Sequence, residues 1–279
     1  MIERIEENYR SLGGAIRFNS RVKQIVVRDG RASGVVLDTG ERIDADVVVS
    51  AADGHGTLFE MLGEQYLDEK TKQRYREWKP FPSYLMVSFG IAREFKGEPG
   101  LLSILLDDPI NIDPQTSLNS VSFRIFNYDP TFAPAGKTAI VSFIATYDYK
   151  HWTQLYEKEA AKYESEKRRI ADEIIGLFEK RYPGSKDKIE VVDVATPATV
   201  IRHTNNWQGS MEGWLLTPKT RAKQLPCTVP GLKNFYMVGQ WISPGGGLPS
   251  GLITARNVIA RISREIKKQR GLKPRLAHK

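Results

Sequence analysis

The sequence predicts an α/β chain of α+β character, arranged as two lobes, one of them built from both ends of the chain. Three observations lead there. Residues 234–262 (NFYMVGQWISPGGGLPSGLITARNVIARI) run from an apolar β-type stretch (Phe235, Tyr236, Met237, Val238) through Gly239 and Gly245-Gly246-Gly247 into an amphipathic helix that begins near Ser250. The first fifty or so residues hold short apolar runs, and Val47, Val48 and Val49 form the kind of continuous run found in strands covered on both faces. From residue 84 the pattern changes to longer strands bounded by Pro and Gly, followed by one long helical pattern.

Ile2, Ile5, Tyr9 and Leu12 recur at helical spacing and predict a helix over 2–12. Strands are expected at 15–18, 21–28, 33–38 and 46–51, with Asp29-Gly30 as a hairpin turn. Residues 54–67 read as helical crossing structure. Strands at 84–92, 101–106, 120–126 and 138–146 suggest a mixed or antiparallel sheet. Tyr156, Ala160, Tyr163, Ile170, Ile174, Leu177 and Phe178 share one face of a helix over 153–180, which Tyr182-Pro183-Gly184 stops. A last strand is expected at 189–195. No internal repeat or low-complexity tract interrupts the chain.

With 41% hydrophobic and 27% charged residues among 279, the chain belongs to the ordinary globular class. Cys227 is the single cysteine, which excludes an internal disulfide framework and a cysteine-cluster metal site and favours a reducing, cytoplasmic setting. No uninterrupted apolar stretch approaches the roughly 20 residues that span a bilayer. The N-terminus reads as an acidic-leaning helix rather than a signal peptide. The net charge of +8 resides between Arg256 and Lys279, where nine Lys or Arg face Glu265 alone. This basic tail (269–279) holds no aromatic to stack on a base, so nucleic acid is not expected as a partner. A solvated helix end is its plain reading. Peripheral attraction to anionic lipid, at about 1 kcal/mol per clustered basic residue, is the alternative.

A strand, a glycine turn and a helix start together make a site for an anionic or electron-rich ligand. Glycines allow close backbone approach, and the helix N-terminus adds unpaired donors and partial positive charge. A plain strand-to-helix turn needs one glycine, whereas five lie between Gly239 and Gly251. The candidate binding residues are Gly239, Gln240, Trp241, Gly245, Gly246, Gly247, Leu248 and Ser250. The histidines at 55, 151, 203 and 278 have no metal-binding spacing, so no metal site is expected, and no G-x-S-x-G elbow occurs.

Through Tyr236, Val238, Gly239, Gln240, Trp241, Pro244, Gly245, Gly246, Gly247 and Pro249, the segment resembles the C-terminal flavin-contacting motif of FAD-dependent oxidoreductases of the phytoene desaturase type (carotenoid desaturases and isomerases), within the amine-oxidase-like flavoprotein superfamily. Residues 13–52 resemble that family's three short strands and returning "AD.VV.a" strand. Residues 196–218 (TPATVIRHTNNWQGSMEGWLLTP) resemble its stretch before the final motif. One departure is Gln240, where many relatives in the wider superfamily carry an acidic residue that bonds the ribityl chain.

The resemblance implies an incomplete FAD-binding domain from 1–52 and 230–268 and a mixed-sheet substrate domain with helices from 53–229. It implies hydride transfer between flavin and an apolar, isoprenoid-like substrate lying between ring and sheet, near Tyr84, Met86, Ser88, Phe123, Ile125, Phe143 and Ala145. Arg202 and His203 are the polar candidates near the site, and Trp207, Trp214 and Trp241 suit aromatic walls. The family's G-x-G-x-x-G turn is absent from the sequence. The chain alone is therefore expected to bind FAD weakly or not at all. It is also expected to associate through 46–51 and 234–238, either with itself or with a separately supplied dinucleotide-binding half. The alternative is a non-catalytic fragment that binds lipid or a partner.

Overall fold

The computed structural model describes residues 2–220 and 224–269; the basic stretch from 270 onward lies outside them. In chain order the elements are α1 (Ile2–Ser11), β1 (Val22–Arg28), β2 (Arg31–Leu37), β3 (Arg42–Asp44), β4 (Val48–Ser50), a π-helical turn (Gly56–Met61) and α2 (Glu69–Glu77). There follow β5 (Ser83–Ile91), β6 (Leu101–Asp113), β7 (Thr116–Ile125), β8 (Thr138–Thr146), α3 (Tyr149–Lys158), α4 (Ala160–Arg181) and β9 (Ile189–Ala195). The chain closes with α5 (Pro197–Thr204), β10 (Phe235–Met237) and α6 (Leu248–Gln269). Among the described residues no helix is long and apolar enough to cross a membrane.

The larger lobe is one sheet of order β6-β7-β8-β5-β9, antiparallel in every pair where the sequence left mixed pairing open. Strict alternation sorts its residues. On β5, Leu85, Val87, Phe89 and Ile91 are buried while Tyr84, Met86 and Ser88 are only half-buried. The buried set packs with Phe123, Ile125, Ile140 and Ile144 against Trp152 and Leu155 of α3 and Ile170, Ile174 and Phe178 of α4. Phe123 and Ile125 thus face the helices, and they do not share a face with the other five residues expected to line a substrate cavity. Tyr84 and Phe143 do meet on the opposite face, with ring centroids 4.6 Å apart. Asp113, buried at the end of β6, accepts from Thr146 Oγ1 (2.7 Å) and Trp152 Nε1 (3.2 Å), which satisfies both donors under the helices.

The long helix expected over 153–180 is two helices. Glu159, at φ −136° and ψ 54°, separates them, and Asp148 caps the first by accepting from the His151 N–H at 3.3 Å. The break turns Trp152 and Leu155 inward and leaves Tyr156 and Ala160 exposed, so the apolar stripe drawn through those two is not the packed one. In the last turns of α4, Glu179 accepts from the Gly184 and Lys186 N–H groups beyond the helix, both at 2.7 Å, and fixes the stop.

The smaller lobe pairs β1-β2-β3 as an antiparallel meander and β4 with β10 in parallel. Asp29 and Gly30 both have positive φ (49° and 69°), as the hairpin turn requires. The strand expected at 15–18 does not form. Ala32 N–H donates to Lys233 and Lys233 N–H to Gly30, both at 2.9 Å, tying the hairpin to the approach of β10. Ile25, Ala32, Val48, Phe235 and Met237 make this core together with Leu58, Leu62 and Val229, so the stretch between 53 and 229 contributes to both lobes. The side chains of β10 are buried along its whole length, whereas Val49 on β4 is exposed.

Candidate functional site

β4 and β10 run parallel, and their C-terminal ends lead into Asp53 and Gly239, the position where open α/β sheets hold ligands. Gly239 has φ +96°, and a Cβ built on it meets nothing within 4 Å, so ligand approach there is free. Its N–H donates to Thr254 Oγ1 (2.8 Å), which itself donates to the Ser250 carbonyl (2.6 Å). Gly245, Gly246 and Gly247 follow with φ of +96°, +57° and +82°, a run that L side chains rarely adopt. The Gly245 N–H donates to the Trp214 carbonyl (3.0 Å) and the Gly246 N–H to that of Ser243 (3.1 Å). The Ser250 hydroxyl donates to the Gly247 carbonyl at 2.7 Å. The turn is therefore held by its own bonds, and the amides of Gly239, Gly245 and Gly246 point into the protein rather than at a ligand.

The glycines divide by what occupies the place of their missing side chains. At Gly245 a Cβ would lie 3.1 Å from Leu216 Cδ1; at Gly246 it would lie 2.8 Å from both Cβ and Cδ of Glu212 and collide with Oε2. At Gly247 it would meet Pro249 Cδ at 3.5 Å and Oε1 of Glu212 at 3.9 Å. Burial pushes the Glu212 carboxyl above the ordinary carboxylate range, and the Gly247 N–H pulls the other way. Of the remaining candidates, Gln240 is half-buried, Leu248 is exposed, and Trp241 is 3% exposed.

Trp241 belongs to an aromatic wall. Its ring centroid lies 5.2 Å from Trp214 and 6.2 Å from Trp207, and its carbonyl accepts from Trp214 Nε1 at 3.1 Å. His55 is sandwiched between Phe59 (4.5 Å) and Trp207 (5.2 Å) with nearly parallel planes. Asp53 accepts from the Gly56 N–H (2.6 Å) and the Trp207 N–H (2.8 Å), stapling the π-helical turn to the 206–209 segment. Burial nonetheless raises its carboxyl above the usual range, and burial drives the Tyr75 hydroxyl well up as well. Two more glycines admit this packing. A Cβ on Gly54 would lie 2.5 Å from the Tyr75 hydroxyl and 2.8 Å from Trp241 Cβ; one on Gly213 would lie 2.7 Å from the Gln240 carbonyl carbon. Tyr75, Trp214, Trp241, Leu58, Met237 and Ile242 belong to the apolar part of the lining of a cavity of about 200 Å³.

Arg202 and His203 sit on the last turn of α5, a helix the sequence reading did not anticipate. Arg202 lies over the Tyr156 ring at 5.4 Å and donates to its hydroxyl at 3.2 Å. Both residues are exposed and border a separate polar groove with Arg21, Asp38, Asp53 and Glu60; neither lines the cavity beside Trp214 and Trp241. Asp53, Tyr75, Glu212 and Gly213 are the residues missed from sequence. Their signal was present in Gly54-His55-Gly56 and in Glu212 next to Gly213, but these glycines separate packed lobes and carry no phosphate-loop spacing.

The sequence family described as "Flavin containing amine oxidoreductase" matches residues 1–262. Among curated proteins the chain is 27% identical over 262 residues to "Prolycopene isomerase 2, chloroplastic" of an Oncidium hybrid cultivar, covering 91% of this chain and 44% of that protein. It is 25% identical over 280 residues to "Phytoene desaturase (lycopene-forming)" of Pseudescherichia vulneris, covering 89% of this chain and 51% of the relative. The chain therefore spans about half the length of these relatives. Among solved structures, an oxidoreductase from Methanosarcina mazei superposes with a TM-score of 0.53 at 17% identity, over 92% of this chain and 53% of that one. A redesigned putrescine oxidase gives 0.55 at 15%, over 90% and 51%. These two likenesses establish the fold.

Proposed function

Because the chain belongs to the flavin-containing amine oxidoreductase family, we propose that its glycine turn and aromatic wall receive the ring of an FAD, in an oxidoreductase or isomerase acting on an apolar, isoprenoid-like substrate. The observation that carries this reading is Gly239: positive φ, an unobstructed Cβ position, and a place at the end of a parallel strand just before α6. The residues present fit such a ring. An electron-rich edge is favoured at the N-terminus of α6, and the buried Trp214 and Trp241 back the turn as a rigid aromatic support. When bound, FAD supplies the hydride acceptor. The chain's own part is to orient that ring and exclude water. The half-buried face of the sheet, where Tyr84 pairs with Phe143, offers the apolar surface for substrate.

Leu248, Leu252, Ile253 and Ile259 of α6 are exposed, and with Val49 they are the surface we assign to a dinucleotide-binding half or to a second copy of this chain. The phosphate and adenosine contacts of FAD would come from that half. Titration of the tryptophan fluorescence with FAD and with lumiflavin, which is the ring alone, tests the reading. Both ligands should quench, and FAD should bind no more than about threefold tighter, because this chain grips only the ring. Sub-micromolar FAD binding would refute the division of contacts, and no quenching by either ligand at millimolar concentration would refute the site.

A further inference from the structure

The place that a ligand carbonyl or anion would take at the start of α6 already holds a side chain. Glu212 lies across Gly246 so closely that a Cβ there would sit 2.8 Å from both its Cβ and its Cδ, and Oε1 extends to 3.9 Å from the equivalent point on Gly247. The backbone gives the carboxylate this position. The Ser210 hydroxyl donates to the Glu212 carbonyl, the Met211 N–H donates to the Pro82 carbonyl (3.1 Å), and Gly213 packs on the main chain of Gln240. No described Lys, Arg or His forms an ion pair with Glu212, and the Gly247 N–H is the backbone donor that favours its charged form.

We propose that Glu212 is the resident anion of the glycine turn: its carboxylate occupies the position the turn offers to an electron-rich ligand, and a flavin edge must displace it to bind. The last clause rests on the flavin reading above; the occupancy itself does not. Glu212 is in these terms a positioning residue. It lowers affinity by the fraction of time it fills the site. A site filled nine-tenths of the time loses about tenfold in apparent affinity.

Wild-type chain, Glu212→Gln and Glu212→Ala are compared by two readouts. The first is the backbone amide resonance of Gly247 during titration with sodium acetate, a free carboxylate. The second is lumiflavin affinity from tryptophan fluorescence. In the alanine variant acetate should shift the Gly247 amide saturably, while the wild type, its site filled, stays unmoved. Lumiflavin should bind the glutamine variant about tenfold tighter than the wild type. An alanine variant whose Gly247 amide ignores acetate overturns the proposal, as does equal or weaker lumiflavin binding by the glutamine variant. If acetate enters but none of the three proteins takes lumiflavin, the carboxylate is the occupant as proposed and it is the flavin reading that has failed. Matching amide spectra away from the turn show that the variants fold.

Discussion

The two lobes bury their apolar residues in different ways. The sheet lobe closes on itself: five strands present one face to α3 and α4, and Phe178 at its centre touches the rings of Phe89, Phe95 and Phe123 at 5.2 to 5.5 Å. The strand-and-turn lobe relies on strands of three residues, β4 and β10, and borrows Leu58, Leu62 and Val229 from the intervening chain. It still leaves Leu248, Leu252, Ile253 and Ile259 open. A core that completes itself makes a scaffold. A core left open along α6 is the surface that the proposed partner would cover.

The largest effect that can break this contrast is expected in the sheet lobe. Phe178→Ala should cost about 3–5 kcal/mol, because a fully buried ring is removed from a site walled by other rings. Denaturant unfolding measures it. Amide exchange gives the complementary comparison: β5 and β8 amides should exchange only by global unfolding, whereas β4 amides should open locally at lower free energy. Equal protection in both lobes would erase the distinction.

Next in size is the seam between the lobes. Gly213→Ala places a methyl 2.7 Å from the Gln240 carbonyl carbon, main chain that cannot swing away, and should cost about 1–3 kcal/mol. The Trp214 Nε1 bond to the Trp241 carbonyl lies beside this contact, so tryptophan emission should move with stability. A wild-type midpoint would mean the lobes are free to separate by a few tenths of an ångström.

Asp53 gives a smaller effect with a definite sign in pH. Burial is the dominant influence and raises its carboxyl, the Gly56 and Trp207 N–H groups and His55 oppose it, and Glu60 adds to the rise. In the unfolded chain Asp53 ionises near pH 4, while the folded chain keeps its proton to higher pH. Between those two points the unfolded state binds fewer protons, so this residue's contribution is full below about pH 4 and declines as pH rises through the folded value. Asp53→Asn should remove that decline. It should also cost about 1 kcal/mol, since the two N–H groups bond different carboxylate oxygens and the NH2 that replaces one of them cannot accept. Urea midpoints across pH 3 to 8 for both proteins decide the matter; parallel curves would assign the slope to other groups.

The sequence disclosed elements wherever one period dominated. The alternation of β5 and β8, the Asp29-Gly30 hairpin and the strand entering Gly239 all follow from local pattern. The break at Glu159 did not, since neither Pro nor Gly marks it and the cause is tertiary: Trp152 and Leu155 must turn toward the sheet. α2 was hidden because Tyr75 is the single aromatic or apolar side chain among its polar and charged residues, which leaves no apolar stripe to read. The glycine turn was legible as a motif, but its contents were not. Nothing local says that Glu212 lies on Gly246, or that Asp53 is bonded to Trp207, because those pairs form only when distant segments pack.

The smallest expected effect on stability tests the open side of the contrast. Leu252 and Ile259 are separated by two helical turns on α6, and they are 69% and 57% exposed. Replacing both with Lys removes little packing, so the unfolding free energy of the isolated chain should change by less than about 0.5 kcal/mol. If this face is where a second copy or a dinucleotide-binding half docks, the same pair of charges must be desolvated on docking and should abolish association. Sedimentation velocity over a wide concentration range reads this directly: wild-type chain should show reversible association that the double variant lacks. A wild type that stays monomeric throughout, with a double variant that is strongly destabilised, would place these side chains in a core of the chain's own and remove the reason to look for a partner on α6.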